Sequence, residues 1–410
     1  MKRTLTFLSI FAIAIGAILV TPEQSSAVPA FARQTGNACS ACHFQFFPKL
    51  SAMGRAFKLG GYTDVSADLI EGDNLSTPAT MPVSFITKFR YLMDTKKTAG
   101  NPKAGEERGV WEIPDEATFF IGGRLSSTIG YALEVADFGF GKGSVIFGIP
   151  TGSDMKAGVY VQASDGAGPA NGMELMNTAI ERPIRGFENR SAAFAFQKMN
   201  FGTAATGLGV YAGSEMYFVN VGLWGPVSFK PSGTTMDAGF DMALWYRVNV
   251  TPTLGGFDTA FGIFGSSGSV KCVDCGGEPA EGESKSVHEF KTDVFGADFQ
   301  AQGEVGGMSL EVQAAYVAGG GKDVAWPTSS KSNAMNVSAF LGLTPNFGVK
   351  ASYMAYKNDD DSKKDMNATN VGVWYNLAQN VHLAPEYAIY GGDGRGNNDT
   401  RLLVLLWIGY

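Results

Sequence analysis

Histidine, cysteine and long hydrophobic runs are all scarce in this sequence. Its 410 residues include only three histidines and four cysteines. After residue 27 no run reaches the 18 or so consecutive apolar residues of a membrane-spanning helix, so any later segment that crosses a bilayer must belong to a β-barrel. Basic residues are also too few to balance the acidic ones, and the net charge of −7 gives no reason to expect a nucleic-acid partner.

The first 27 residues have the organisation of a secretory signal peptide. Lys2 and Arg3 precede an apolar run over residues 5–20, and small residues lead up to Ala27. A membrane-anchoring helix is the alternative, but the run is shorter than the roughly 20 residues needed to span and no basic cluster follows it. We predict cleavage after Ala27, which also removes Glu23 and changes the net charge to about −8.

From about residue 82 onward, apolar and polar residues alternate with a period of two. In the first such segment Val83, Phe85 and Phe89 share one face, whereas Lys88 and Arg90 lie on the other. A strand with one face towards lipid and the other towards a polar lumen produces this alternation. Further strands are predicted at 119–135, 192–201, 210–223, 242–250, 257–264, 294–302, 310–317, 337–343, 349–356, 371–375 and 381–390.

The connections and the last strand also indicate an outer-membrane barrel. Short turns at 343–346 and 376–380 alternate with long polar segments such as 94–112 and 357–367, as expected for periplasmic turns and extracellular loops. The final strand resembles the terminal signal of outer-membrane proteins, because every second residue is apolar and the last is aromatic: Leu402, Val404, Leu406, Ile408 and Tyr410.

Together these patterns predict a mainly β protein with three parts. These are a signal peptide at 1–27, a small α-helical domain at 28–80 and a transmembrane antiparallel β-barrel at 81–410. Strands of about 9–11 residues leave room for about 14–18 of them, so we expect a porin-like barrel of about 16 strands, plugged by the helical domain. The alternative is a soluble β-sandwich or lectin-like barrel with its apolar face inward.

The helical domain contains the sequence Cys39-Ser40-Ala41-Cys42-His43, which matches the C-x-x-C-H attachment motif of c-type cytochromes. In that motif the two thiols form thioethers with the haem, and the adjacent imidazole becomes the proximal iron ligand. A plain disulfide between the cysteines is the alternative. We predict one covalently bound c-type haem held by Cys39, Cys42 and His43, with His43 as the catalytic residue.

The sequence does not identify the distal iron ligand. Met53 is a candidate ten residues after His43, and a Met–His pair would raise the reduction potential relative to two histidines. Simple core packing is the alternative role for Met53. His288 and His382 are less favoured, because each would need long-range folding to reach the haem.

Four further residues have two interpretations each. Arg55 and Lys58 either bind the haem propionates or are simply solvated. Cys272 and Cys275 lack a following histidine, so we expect a disulfide in an external loop rather than a zinc site, for which two more ligands would be needed. Acidic residues in the long loops either concentrate cations near the barrel mouth or only solvate the loops.

Residues 28–62, VPAFARQTGNACSACHFQFFPKLSAMGRAFKLGGY, closely resemble the N-terminal signature of the outer-membrane cytochrome–porin fusions of iron-oxidising bacteria. The shared features are the PAFARQTG lead-in, the haem motif, Pro48, the GRAFK block at 54–58, and Gly61 with Tyr62. The resemblance covers 35 of 410 residues, and beyond Tyr62 it is one of architecture only.

This resemblance implies an iron(II):cytochrome c oxidoreductase in the bacterial outer membrane, in contact with its lipid. The haem domain would lie in the barrel lumen or at its periplasmic side. It would pass electrons from extracellular Fe²⁺ to a soluble periplasmic cytochrome or another electron carrier. Two alternatives are a porin with a redox-sensing or structural haem plug, and a cytochrome that transfers electrons outward.

Overall fold

The computed structural model describes residues 29–95, 108–136, 139–152, 154–225, 242–273, 287–322, 324, 326–395 and 399–409. The predicted signal peptide lies outside these residues. Within them, no helix has the length and apolar character needed to cross a membrane.

Sixteen antiparallel strands of the described chain close a single barrel, which confirms the predicted porin-like architecture. Each pairs with the next barrel strand along the chain, and the last pairs with the first. The first eight are β3 (Val83–Thr95), β4 (Arg108–Arg124), β5 (Ile129–Ala136), β6 (Gly139–Ile149), β7 (Lys156–Ser164), β8 (Ala205–Gly213), β9 (Tyr217–Gly225) and β10 (Ala243–Val250). The other eight are β12 (Phe257–Ser267), β15 (Val294–Val305), β16 (Met308–Gly319), β17 (Ser332–Gly342), β18 (Phe347–Asn358), β19 (Met366–Ala378), β20 (Val381–Gly391) and β21 (Thr400–Gly409).

Several smaller elements accompany the barrel. Two hairpins form separate two-stranded sheets, β1 (Leu69–Gly72) with β2 (Leu75–Pro78) and β13 (Ser269–Val273) with β14 (Val287–Lys291), while β11 (Thr253–Leu254) pairs with β12. The helices are α1 (Ala30–Thr35), α2 (Cys39–Cys42), α3 (Ala52–Leu59), α4 (Arg190–Ala193) and α5 (Ala195–Lys198), with 3₁₀ turns at Pro169–Gly172 and Ser362–Lys364.

The two faces of the barrel wall differ as the alternation predicts. On β9, Val219, Val221 and Leu223 are exposed on the outer face, whereas Asn220 and Trp224 are buried on the inner face. An apolar outer band around a polar interior is the pattern of a transmembrane barrel. The soluble sandwich, which would bury its apolar face, is therefore the wrong alternative.

The closing strand is also confirmed. β21 pairs with β3 along its whole length, with Leu402 opposite Met93 and Ile408 opposite Thr87. β3, the first strand of the barrel, begins at Val83.

The predicted strand at 192–201 is wrong. These residues belong to a long segment, 165–204, that connects β7 to β8 through the lumen, where they form α4 and α5. Ala192, Phe194 and Phe196 are completely buried, and Asn336 of the wall accepts a hydrogen bond from the Ala195 amide. A short apolar run that is buried on all sides cannot be assigned to strand or helix from its periodicity.

Strands β6 and β7 were missed, and two predicted segments each contain two strands. The segment 119–135 turns at 125–128, and 210–223 turns at 214–216. Glycines are frequent at 139–148, and with no side chain they hide the alternation of β6.

The lumen segment 165–204 is fixed to the wall by a buried ionic cluster. Arg247 on β10 lies 3.0 Å from a carboxylate oxygen of Glu174 and 2.6 Å from one of Asp298 on β15, and all three side chains are inaccessible to solvent. Thr178 adds a hydrogen bond to Asp298. A fully paired cluster of this kind holds the segment across the barrel, because removal of one partner would leave a buried charge without a counter-ion.

Candidate functional site

The haem motif forms one helical turn, α2. The His43 amide donates to the Cys39 carbonyl at 2.9 Å, which closes the turn. Residues three apart lie on the same side of a helix, so the thiols of Cys39 and Cys42 are neighbours. Both cysteines are free thiols in this structure and are partly buried.

Helix α3 and the residue that caps it, Ser51, pack directly against this turn. The Ser51 amide donates to the Cys42 carbonyl at 2.9 Å, and the Ser51 hydroxyl donates to the Ala41 carbonyl at 2.6 Å and caps α3 through the Gly54 amide. The helix approaches so closely that a Cβ at Gly54 would lie 2.1 Å from the Cys42 carbonyl oxygen. The glycine of the GRAFK block is therefore required by this contact.

The N-terminal segment 29–64 crosses the lumen and bonds to strands on several sides. Lys49 forms an ion pair of 2.6 Å with Glu311 on β16, and both side chains are completely buried. The Leu50 amide donates to Asn177 of the lumen segment at 2.7 Å. At another point of the wall, the Cys39 thiol donates to Asn380 at 3.3 Å. These contacts fix the haem motif inside the barrel.

Cys39, Cys42 and His43 line a cavity of about 860 Å³ inside the barrel. This volume is within the range of roughly 300–1,000 Å³ that is typical of cofactor sites. Its walls include the N-terminal segment, strands β3–β6 and β18–β21, and residues 181–190 of the lumen segment.

One side of the cavity is apolar and aromatic. Trp407 on β21 stacks on Phe47, with ring centroids 4.4 Å apart, and Phe47 in turn contacts the His43 ring edge-on at 5.0 Å. Leu405 and Phe120 also line this side. An apolar inner wall is unusual in a porin-like barrel, whose lumen is ordinarily polar.

Another part of the lining is charged, and two of its arginines have incomplete partners. Arg185 forms an ion pair of 2.8 Å with Glu188, but its Nε has no hydrogen-bond partner among the described residues. Arg182 forms no ion pair with the described residues, and its guanidinium donates only a long bond of 3.4 Å to the Gly166 carbonyl. Burial, and then repulsion by Arg185, lower the pKa of Arg182. The pair is suited to bind an anionic group.

Desolvation shifts the pKa values of His43 and Cys42 in the haem motif. Burial inside the barrel lowers the pKa of His43 to about 4, although its backbone contacts with Lys49 and Pro48 oppose the change. Burial also raises the pKa of Cys42, and Cys39 adds to the effect. His43 is therefore a neutral imidazole at pH 7, the form that binds a metal ion.

The residues of the cavity fit a c-type haem. Two thiols stand on one turn with the imidazole next to them, an aromatic wall suits the porphyrin, and Arg182 and Arg185 suit its propionates. Trp407 adds an independent sign, because its buried indole N–H lacks an acceptor among the described residues. An orphaned donor on a cavity wall is expected where a bound group supplies the acceptor.

Comparison with known proteins supports the barrel architecture. No family model matches the sequence, and no curated protein matches it significantly. OprB of Pseudomonas putida matches with a TM-score of 0.54 and 12% identity, over 80% of this chain and 94% of OprB. The chain has a porin-like outer-membrane β-barrel fold.

Two further structures of this porin-like group are similar at a lower level. The anion-selective porin from Comamonas acidovorans has a TM-score of 0.49 and 12% identity, covering 80% of this chain and 98% of that porin. The outer membrane channel DcaP of Acinetobacter baumannii also scores 0.49, with 10% identity over 84% of this chain and 100% of DcaP. At such identities the likeness concerns the fold alone.

Cys39, Cys42 and His43 lie together on the cavity, but Met53 does not. Met53 lies on α3 with 45% of its surface exposed, and it is not among the residues that line the cavity. Arg55 forms an ion pair with Asp258 on β12, and Lys58 forms one of 2.9 Å with Glu181. Both side chains thus form ion pairs with carboxylates, as Arg185 does, and among these four cations only Arg182 forms no ion pair with the described residues.

The other histidines and cysteines lie in two different places. His382 on β20 lines the cavity, whereas His288 belongs to β14, in the hairpin that pairs only with β13. Cys272 lies in β13, and Cys275 is outside the described residues, so their disulfide stays a prediction.

The sequence analysis did not identify Trp407, Arg182 and Arg185 as residues of the site. A signal for the first exists, because β21 is apolar on both faces: its lumen-facing positions include Leu403, Leu405 and Trp407, where a porin-like barrel would have polar residues. No comparable signal marks Arg182 and Arg185, because only the path of the lumen segment brings them to the cavity.

Proposed function

We propose that this protein is a monohaem c-type cytochrome enclosed in an outer-membrane barrel, and that it oxidises extracellular Fe²⁺ and passes the electrons to a soluble periplasmic cytochrome. The observation that carries the proposal is the position of Cys39, Cys42 and His43 on one cavity with an aromatic wall. The resemblance of residues 28–62 to iron-oxidising cytochrome–porin fusions supports Fe²⁺ as the electron donor.

Three residues would hold the haem, with Cys39 and Cys42 as thioether partners and His43 as an iron ligand. When bound, the haem supplies a couple that accepts and releases one electron at a time. The carbonyl of Lys49 lies 3.2 Å from His43 Nδ1, so it fixes the ring and leaves Nε2 for the metal. Arg182 and Arg185 would neutralise the propionates.

The overall reaction is a transfer of one electron. Each extracellular Fe²⁺ becomes Fe³⁺, and each electron reduces one oxidised periplasmic carrier, with no proton or group transferred. The barrel wall separates the site from the lipid, while Phe47 and Trp407 exclude water from one side of the site. The ion pair of Lys49 with Glu311 holds the segment that carries the motif.

The test is anaerobic addition of Fe²⁺ to the purified ferric protein while the haem absorbance is followed. We expect covalent haem in denatured wild-type protein and rapid appearance of the ferrous spectrum. The matched controls are Cys39→Ser with Cys42→Ser, which should carry no covalent haem, and Ser40→Ala, which should behave as the wild type. Reduction by dithionite but not by Fe²⁺ would reject Fe²⁺ as the donor and favour outward electron flow.

A porin is the second candidate function, and the porin-like fold together with the internal cavity favours it. In that case the haem segment would be a structural or redox-sensing plug and the barrel would conduct solutes. Against steady conduction, the N-terminal segment and residues 165–204 both cross the lumen. Full-length protein in planar bilayers distinguishes the two, because a steady open conductance without Fe²⁺-dependent reduction would support the porin.

A further inference from the structure

We infer that His382, on strand β20 of the barrel wall, is the second axial ligand of the haem iron. The inference rests on the proposed function, because it needs a haem attached at Cys39 and Cys42. It gives the barrel wall a direct part in the redox site, in addition to enclosing it.

The chain just before β20 contacts the haem motif. Asn380 accepts a hydrogen bond from the Cys39 thiol at 3.3 Å. Asn380 ends the turn that leads into β20, and His382 lies two residues further on, as the second residue of that strand. The side chain of His382 and the Cys39 thiol line the same cavity.

The two histidines of the cavity are anchored in the same way. Nδ1 of His382 lies 3.0 Å from the amide oxygen of Asn376, just as Nδ1 of His43 lies 3.2 Å from the Lys49 carbonyl. Metal-binding histidines commonly donate their other ring N–H to an oxygen in this manner, which fixes the tautomer. In each ring Nε2 remains for the metal, and among the described residues it has no other hydrogen-bond partner.

Packing also fixes the plane of the His382 ring. The ring stacks on Phe46 with centroids 4.7 Å apart and an angle of 22° between the planes. On the next strand Trp407 is its direct cross-strand partner. The stacking on Phe46 restricts the orientation of the His382 ring, as a ligand position requires.

The remaining candidates in the cavity are engaged or have the wrong chemistry. No methionine is among the described residues that line it. Its lysines are paired with carboxylates and are therefore charged, which prevents them from binding iron. These pairs are Lys58 with Glu181, Lys88 with Glu116, Lys142 with Glu181, and Lys350 with Glu386.

Two histidine ligands have a consequence for the potential. Replacement of methionine by histidine opposite His43 lowers the reduction potential of a c-type haem. The site would then accept electrons from Fe²⁺ only where the Fe³⁺ product is itself stabilised, for example by hydrolysis or by a ligand. The identity of the ligand thus limits the conditions under which the donor can be oxidised.

The test compares His382→Ala with Met53→Ala in the full-length haem-loaded protein, by electron paramagnetic resonance and absorbance of the ferric state. We expect a low-spin signal in the wild type and in Met53→Ala, and a high-spin signal in His382→Ala. Added imidazole should restore the low-spin signal of His382→Ala. A low-spin signal that survives in His382→Ala, or one that is lost in Met53→Ala, would overturn the inference.

A second variant keeps the test decisive if His382→Ala does not assemble. His382→Met retains a ligating side chain, and it should stay low-spin with a raised reduction potential. An unchanged potential would contradict ligation by residue 382. The failures are distinguishable: wild-type protein without covalent haem would reject the proposed function, whereas covalent haem without reduction by Fe²⁺ would reject only the donor.

Discussion

Phe47 of the N-terminal segment and Trp407 of the closing strand stack with their ring centroids 4.4 Å apart and their planes at 16°. The two residues are 360 positions apart in the chain, so this contact joins the haem motif to the seam of the barrel. Trp407 also carries the orphaned indole N–H, so the same side chain both packs the segment and faces the cavity.

Removal of the Trp407 ring should destabilise the protein strongly. We expect Trp407→Ala to lower the free energy of unfolding by about 3–5 kcal/mol, because a large buried ring and its stacking partner are lost. Trp407→Phe keeps the stacking and should cost less than about 1.5 kcal/mol. Urea unfolding in lipid vesicles measures both values, and equal losses in the two variants would show that the stacking contributes little.

The buried pair of Lys49 and Glu311 gives a second prediction. Lys49→Met leaves the Glu311 carboxylate without its counter-ion, and we expect a loss of about 3–5 kcal/mol in the free energy of unfolding. The double variant Lys49→Met, Glu311→Gln removes both charges and should recover most of the loss. If the double variant is as unstable as the single one, the unpaired charge is not the cause.

The pH dependence of stability should reflect Glu188. Burial raises its pKa, but Arg185, Lys88 and Arg90 outweigh burial and lower the pKa from 4.5 to about 2. A carboxyl with a lowered pKa contributes stability above its unfolded pKa, and that contribution is lost as the pH falls towards 2. At about 1.4 kcal/mol per pKa unit, the contribution is about 3 kcal/mol.

Unfolding experiments on wild type and Glu188→Gln at several pH values measure this contribution. We expect the wild type to be more stable at pH 7 and the difference to shrink between pH 4.5 and 2. A difference that stays constant over this interval would assign the stabilisation to packing and not to the charge.

Gly54 should be sensitive to the smallest substitution. In an exposed helix Gly→Ala usually stabilises by about 0.5–1 kcal/mol, but here the added methyl group would meet the Cys42 carbonyl oxygen at 2.1 Å. Helix α3 would have to move away from the haem motif, so we expect Gly54→Ala to reduce the yield of covalent haem. Ala56→Ser, at an exposed position of the same helix, is the control and should retain the wild-type yield.

The barrel could be predicted from the sequence because its signal is local and repeated. Lys88 and Arg90 point into the lumen and Phe89 between them points outward, as the period of two requires. The strand prediction for residues 192–201 was wrong for the opposite reason. They are apolar and lie inside the lumen, a location that depends on the closure of the whole barrel.

Some residues of the candidate site could likewise be predicted from the sequence, and others could not. Cys39, Cys42 and His43 are adjacent in sequence, so their role could be predicted from spacing alone. His382 and Trp407 reach the cavity only because β20 and β21 complete the wall next to β3, more than 290 residues along the chain from β3's start. Met53 was favoured because it is near His43 in sequence, although α3 turns its side chain to an exposed position.

The pairing of β21 with β3 imposes an order of assembly. The segment with the haem motif precedes β3 in the chain and lies inside the ring that β21 closes. Under the proposed function, thioether bonds at Cys39 and Cys42 would have to form on an accessible motif, and the closed wall would block that access. We therefore expect haem attachment to precede closure of the barrel, and a chain that closes first would remain without haem.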